Sequence, residues 1–465
     1  MIAGLRAPLR REALLGAGLG GYAALAALAP SIAAKAVLCA PLIAIPIAWP
    51  MLRKPRLWLA LFFAAALLLP PLPIHLGDSG PHVALVFAGA GLFIGLLRLA
   101  EWRIEINSIG GCLLALFAIV FASLAMALIY SGVSIAAGSL ARVCLLGISV
   151  YVYFYVRSGP GRIPGFEGFR WIRLLFCAAA LSALFACVDF YYQFPAPAGY
   201  EQQFIWVDTG VFRRAQGIFY EASTLGNLCA FFLEMVAVAL FRPRGAQSLS
   251  LFSLLAGASA LAWALVLSYS RGSLINVAVA LIVLLWFQRH RVRWNRVLAG
   301  AAALVGLLAL LAIFSPVFSG AYWQRVTVGF QFFNESPDVI LSGRVQSWRV
   351  LLDFLQAHSW YALLGVGYKT LPYSDFIGTT AVGDNTYLTL LAETGILGLA
   401  AVIALNVAIL RRSYRAAHST DDLRSFCGLW MLCFWSGQAV QMLSADLLTY
   451  WRILPVYFFV LALAA

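Results

Sequence analysis

The chain has 465 residues, of which 63% are apolar and 11% charged, with a mean hydropathy of +0.89. An ordinary soluble domain carries about 25% charge, so a water-soluble globular architecture is excluded. The net charge of +13 has no polar basic face to carry it, and the aromatic residues lie inside apolar runs, which excludes nucleic acid as a partner.

A membrane span needs about 20 mostly apolar residues. In chain order the sequence predicts spans at 14–31, 35–51, 57–74, 82–99, 109–130, 136–156, 171–189, 222–241, 250–270, 272–288, 297–315, 385–410, 425–443 and 450–465. The basic start MIAGLRAPLRRE resembles a signal peptide, but no small-residue cleavage site follows and the run leads into further spans, so it reads as an uncleaved first helix. Three prolines interrupt 35–51, and 250–288 can be cut differently around Ser270-Arg271-Gly272. The expected fold is all-α: a polytopic transmembrane helix bundle of about 12–14 spans, with a large, partly helical outer loop. We read 1–465 as one integral membrane domain, with N-terminal spans over 14–189, an outer loop at 190–221, central spans over 222–315, the large loop at 316–384 and C-terminal spans over 385–465.

Basic loops stay cytoplasmic. With the N-terminus inside, 22 of the 32 basic residues fall on the inner face. Arg213, Arg214, Arg271, Arg344 and Arg349 are on the outer side instead. For Arg213 and Arg349, snorkelling or a carboxylate partner is a sufficient reason. Arg271, in LSYSRGSLI, sits in a tight turn between two spans, where a planar guanidinium suits a phosphate at the membrane surface.

The outer carboxylates Asp189, Asp208, Glu335, Asp338, Asp353 and Asp375 read as solvated or paired side chains, whereas Glu221 and Asp384 each precede a long apolar helix. Helix capping and a role in chemistry both fit those two positions. Gly365-Val366-Gly367 continues into Tyr368-Lys369 rather than a phosphate-cradling loop, so it reads as a turn. His75 and His358 lack ligand partners, and the eight cysteines show no metal or redox spacing and read as small buried hydrophobes. No metal site and no cofactor are expected. Acids inside predicted spans are scarce, with Glu234 and Asp189 near span ends, which weighs against a proton-coupled transporter.

Four stretches together resemble the bacterial O-antigen ligase and polysaccharide polymerase family. They are Arg214-Ala-Gln-Gly217-Ile-Phe219-Tyr-Glu221-Ala-Ser223, Ser270-Arg271-Gly272, Gly343-Arg344 with Trp348 leading to Leu364-Gly365-Val366-Gly367, and Asp384-Asn385-Thr-Tyr387 continuing to Gly395 and Gly398. They cover about 200–398 in the family's order. Asp384 stands where the ligase pattern has histidine, and Ala222 where proline is common; Glu221 with Ser223 leans toward the polymerase branch.

The resemblance implies a glycosyltransferase of the bacterial inner membrane, acting at the periplasmic face without metal or nucleotide. Its implied partners are an undecaprenyl diphosphate-linked oligosaccharide, an acceptor glycan, the lipid bilayer and a chain-length regulator. Arg214 and Arg271 would neutralise the leaving diphosphate and Asp384 would orient or deprotonate the acceptor hydroxyl; Arg344, Glu221, Arg213, Asn385 and Tyr387 would bind substrate. The implied activity is O-antigen or exopolysaccharide polymerisation, with ligation to lipid A core or protein as the alternative and transport of the same lipid-linked sugar as a third, non-enzymatic one.

Overall fold

The structure, a computed structural model, describes residues 51–72, 81–163, 165–197, 199–207, 210–241, 250–290, 344–373 and 383–465, with a few further positions between 16 and 50 and between 320 and 327. Most of the predicted spans 14–31 and 35–51, the whole of 297–315, and Asp208, Glu335, Asp338, Asp375, His75 and Cys39 lie outside the described residues. The chain divides into two compact units, Met1–Ala60 and Leu61–Ala465. In the first, Arg53 lies over the Trp49 ring at 4.9 Å.

Thirteen helices carry the described fold: α1 (Leu57–Leu68), α2 (Val83–Leu97), α3 (Ser108–Ala122), α4 (Leu124–Ser158), α5 (Gly165–Tyr192), α6 (Ala222–Leu240), α7 (Leu251–Leu267), α8 (Arg271–Phe287), α9 (Arg344–Ala357), α10 (Ser359–Leu364), α11 (Thr386–Ala417), α12 (Asp422–Gln441) and α13 (Leu454–Ala464). Four of them, α4, α5, α6 and α11, are long and apolar enough to cross a membrane, and α1, α2, α3, α7, α8 and α13 are shorter apolar helices. This is a multi-pass, all-α membrane protein. The one departure among the described residues is a two-stranded antiparallel hairpin within 190–221, β1 (Phe204–Val207) with β2 (Gly210–Arg213), in which Phe204 pairs with Arg213.

Local chemistry sets the helix starts. Asn107 accepts from the Gly110 N–H at 2.7 Å ahead of α3, Ser250 caps α7, and Asp421 accepts from the Arg424 N–H at 2.7 Å ahead of α12. Each oxygen satisfies an amide that the first helical turn leaves without a partner.

Helix α12 is buried on all sides over Phe426–Trp435, the pattern of a helix enclosed by others, and it packs against α6, α8, α11 and α13. Gly428 meets Ala416 and Ala417 of α11, and Gly437 meets the Asn276 backbone of α8, so the missing side chains set how closely these helices approach. Trp430 of α12 donates to the Phe231 carbonyl at 2.7 Å and its ring lies 4.3 Å from that of Phe231. On the outward faces, by contrast, Phe93, Ile129, Phe252 and Ile282 are exposed, as expected of side chains turned to lipid. Two cysteines, Cys144 and Cys177, join them at the surface, whereas Cys187, Cys229, Cys427 and Cys433 are buried.

The long helices are broken at glycines. Gly132 in α4 (φ 80°, ψ 175°) and Gly395 in α11 (φ 72°, ψ −170°) adopt a conformation closed to other residues. The break at Gly132 falls in the expected gap between spans 109–130 and 136–156, whereas Ser123, between α3 and α4, keeps a helical backbone (φ −64°, ψ −13°). At Gly395 the amides of Val366 and Gly367 take up the Ala392 and Glu393 carbonyls at 3.0 and 2.9 Å. The Gly365-Val366-Gly367 turn thus caps the interrupted helix.

Near the C-terminus, Arg452 is buried and donates to the Ala66 and Leu69 carbonyls at the end of α1 (2.7–3.0 Å) and to the Ile218 carbonyl at 2.7 Å. It also stacks over the Phe219 ring at 4.6 Å. A helix C-terminus carries partial negative charge, which gives this enclosed cation its compensation.

Candidate functional site

The hairpin and the turn after it fix the first two arginines. Arg213 closes on Asp189 at the end of α5, with 3.1 Å between guanidinium and carboxylate and a second bond to the Asp189 carbonyl at 3.2 Å. Both side chains are buried, so Arg213 ties the hairpin to α5. Arg214 extends the ladder through its amide to the Gln203 carbonyl at 2.9 Å. Its Nε donates to the Ser268 carbonyl at 2.9 Å, and the next amide, Ala215, bonds the Leu267 carbonyl at 2.9 Å. Arg214 is thereby docked on the turn between α7 and α8, three residues before Arg271. That turn is tight: Tyr269 is left-handed (φ 51°) and Arg271 opens α8, where the helix dipole also favours an anion.

Glu221 follows a second left-handed residue, Tyr220 (φ 55°). It precedes α6 without capping it: the Ala222 amide donates to Gln203 Oε1 at 3.1 Å, while Glu221 accepts from the Thr224 hydroxyl at 2.5 Å. Burial holds the Glu221 carboxyl above its ordinary pKa, the Thr224 bond and Arg214 oppose that shift, and the charges of Asp446 and Asp384 add to it. Glu221, Arg214, Asp384 and Asp446 therefore share one electrostatic neighbourhood.

Asp384 is paired with Arg344, the first residue of α9, at 3.1 Å, with both side chains partly exposed. The cap of α11 is its neighbour Asn385, whose Oδ1 accepts from the Tyr387 and Leu388 amides at 3.0 and 3.1 Å. Thr386 then bonds the Met442 and Ala445 carbonyls, binding the start of α11 to the end of α12. Tyr387 donates to the Ala439 carbonyl at 2.9 Å and accepts from Asn406 at 3.0 Å. The Asn385 Oδ1 and the Tyr387 hydroxyl are thus used in the scaffold that presents Asp384. Arg349 is exposed on α9, and His358 packs among the rings of Phe354 and Tyr361.

Two charged residues that the sequence reading passed over complete this end of the bundle. Lys369 forms a buried ion pair with Asp446, and Asp446 also accepts from the Leu448 amide at 3.1 Å. Burial disfavours the Lys369 ammonium, but Asp446 and Glu393 outweigh it and hold its pKa above the ordinary value. The Lys369 carbonyl accepts from Arg142 of α4 at 2.9 Å. Signals for both residues existed: Lys369 is one of only three lysines against 29 arginines, and the predicted spans 425–443 and 450–465 leave Asp446 in a short turn at the end where Asp384 lies.

One to two turns into the bundle, an amide network joins four helices. Asn227 (α6) and Asn276 (α8) both donate to the side-chain oxygens of Gln438 and Gln441 (α12) at 2.7–3.1 Å, and Tyr457 (α13) donates to Asn227. Asn276 Oδ1 and Gln438 Nε2 have no partner, but the bonds that are made tie the registers of the four helices, and with them the positions of Arg271 and Glu221 above.

The arrangement defines a class: a multi-pass helical membrane protein with several arginines and carboxylates gathered at one end of its bundle. Residues 256–403, about a third of the chain, match the family described as O-antigen ligase. That segment contains Arg271, Arg344, Lys369 and Asp384, whereas Arg214, Glu221 and Asp446 flank it. A search of curated proteins finds no match for the chain.

Proposed function

We propose that the protein is a glycosyltransferase of the bacterial inner membrane that moves a glycan from undecaprenyl diphosphate to an acceptor sugar, as an O-antigen or exopolysaccharide polymerase. The observation that carries this reading is the Asp384–Arg344 pair at the mouth of α11, inside the segment that resembles the O-antigen ligases and beside Arg214 and Glu221.

In the proposed reaction an acceptor hydroxyl oxygen attacks the anomeric carbon, the bond from that carbon to the diphosphate oxygen breaks, and undecaprenyl diphosphate departs with the electron pair. Arg214 and Arg271 neutralise the charge that grows on the diphosphate, an electrostatic role worth most in a site poor in water. Asp384 orients the hydroxyl and receives its proton, with Arg344 holding the carboxylate in place. An α-linked donor attacked in line gives inversion. Glu221 and Arg213 bind the donor or brace the hairpin beside it, and Asn385 and Tyr387 present Asp384 to the acceptor. The site faces the periplasm, with the N-terminus in the cytoplasm.

The test is single substitution of Arg214, Arg271 and Asp384, with glycan chain length measured in the membrane at matched expression. Removing one preorganised charge-stabilising donor typically costs about 10²–10³-fold in turnover, so Arg271→Ala should leave only short glycans. Polymer of normal length from that variant would sink the diphosphate role. The family match itself favours a second reading, ligation of the same donor onto lipid A core or protein; it shows the same arginine dependence, but the product carries the glycan on that acceptor rather than on undecaprenyl diphosphate.

A further inference from the structure

The turn that caps the break in α11 also delivers Lys369, a group for which the proposed chemistry has no use as it stands. Every part of this residue is held. Its backbone is left-handed (φ 57°), its amide donates to Glu393, and its carbonyl accepts from Arg142 at 2.9 Å. Its ammonium lies over the Tyr368 ring at 5.4 Å and closes on Asp446, with side-chain exposures of 12% and 9%. A buried ion pair is a poor way to gain stability, because desolvation of both ions offsets their attraction. Its placement is more informative.

Asp446 is fixed by the Leu448 amide, and its neighbours Ala445 and Leu447 both bond the Thr386 hydroxyl (2.7 and 3.2 Å), two residues from Asp384; like Asp384, it acts electrostatically on Glu221. Three carboxylates therefore border the region where Arg214 stands. A lipid diphosphate approaching Arg214 meets that wall, and like charges at short range in a medium of low dielectric repel strongly. Asp384 is opposed by Arg344 and Glu221 by Arg214. Asp446 is opposed by Lys369.

We propose that Lys369 is a positioning residue that shields the donor site: its ammonium cancels Asp446, so that the diphosphate of a lipid-linked sugar binds beside Glu221 and Asp384 without meeting an unopposed carboxylate. This rests on the lipid-diphosphate reading above. Lys369 touches no reacting atom, so its effect falls on donor binding rather than on the chemical step.

The experiment compares the wild type with Lys369→Met, Asp446→Asn and the double variant, all as full-length purified protein, measuring initial rates against the concentration of an undecaprenyl diphosphate-linked oligosaccharide. Exposing one carboxylate to the donor should raise the Lys369→Met KM by about tenfold or more while kcat stays within about threefold. Asp446→Asn keeps the cap on the Leu448 amide, leaves Lys369 opposed by Glu393 alone and should lower KM. The double variant should return KM to within about threefold of the wild type. An ion pair that only stabilises the fold gives another pattern: both single variants lose stability and rate together and the double variant rescues neither. A raised KM in Asp446→Asn, or no rescue in the double variant, overturns the proposal. Should Lys369→Met fail to fold on gel filtration, Asp446→Asn alone decides, a lowered KM supporting the shield and an unchanged or raised one rejecting it. Wild-type protein that does not consume the lipid-diphosphate donor rejects the functional reading and the shield with it, whereas an active wild type without rescue rejects the shield alone.

Discussion

Glu221 is pressed from two directions. Burial, and the charges of Asp446 and Asp384, favour its neutral form, while Thr224 and Arg214 favour the ionised one, and the net effect is a raised pKa. A carboxyl whose folded pKa lies above its unfolded one favours the folded state at low pH, and that advantage is lost as pH rises from the unfolded pKa through the folded one. Glutamine at 221 does not titrate. The thermal stability of the wild type relative to Glu221→Gln should therefore fall as pH rises across that window and level off above it, as read by thermal unfolding in detergent from acid to neutral pH. A gap that grows with pH would mean that Arg214 holds Glu221 ionised. At this scale the sequence was informative wherever a charge broke a pattern. Arg214, Arg271 and Asp384 stood out because arginines on the outer side and acids next to spans are few, and the structure ties Arg214 to the turn that leads to Arg271. The Lys369–Asp446 pair was hidden because its partners are 77 residues apart and nothing local links them. Reading Gly365–Gly367 as a simple turn also removed its neighbour Lys369 from consideration.

Helix α11 depends on a break that its composition does not announce. Gly395 and Gly365 share nearly the same unusual backbone (φ 72° and 75°), and each lies against the other segment's backbone: a Cβ on Gly395 would meet the Leu363 carbonyl, and one on Gly365 would meet Glu393. Gly132 in α4 has a similar conformation (φ 80°) but open space around it. Strain of this kind costs on the order of 1–3 kcal/mol for a residue other than glycine. Alanine at 132 should carry that cost alone, whereas alanine at 395 or 365 adds a backbone clash and should lower the unfolding temperature more. Equal losses at all three positions would show that the joint between the turn and α11 is unimportant. Span positions were legible in the sequence because hydrophobic runs report length directly. The bend at Gly395 was not, because a glycine inside an apolar run reads the same whether the helix continues through it or breaks, whereas the break at Gly132 falls in the expected gap between 109–130 and 136–156. The β1–β2 hairpin was missed for a related reason, its two strands being only four residues each.

At the scale of the molecule, many large apolar side chains of the described residues, Phe93, Ile129, Phe252 and Ile282 among them, are exposed, which distinguishes a bundle in lipid from one in water. Ile282 on α8 is 65% exposed. On a soluble protein an arginine at such a position would change stability by about 0.5 kcal/mol or less. Facing hydrocarbon it costs roughly 2.5–3.5 kcal/mol. Ile282→Arg should accordingly reduce the yield of folded protein extracted from membranes, and Ile282→Leu should not. An unchanged yield for the arginine variant would place this face out of contact with lipid.

The Arg452 contact bears on how such a chain is made. Its guanidinium serves the Ala66 carbonyl across 386 residues, so the end of α1 is synthesised long before the group that completes it. During translation the carbonyl of Ala66 must rely on water or on the insertion machinery until the segment carrying Arg452 emerges, whereas that of Leu69 already has the His82 ring at 3.0 Å. A ribosome stalled before residue 452 would hold a chain whose earlier helices are inserted but in which the end of α1 still lacks this partner. Assembly of this helical scaffold thus waits on a residue made 386 positions after the group it serves, even though each helix enters the bilayer in turn.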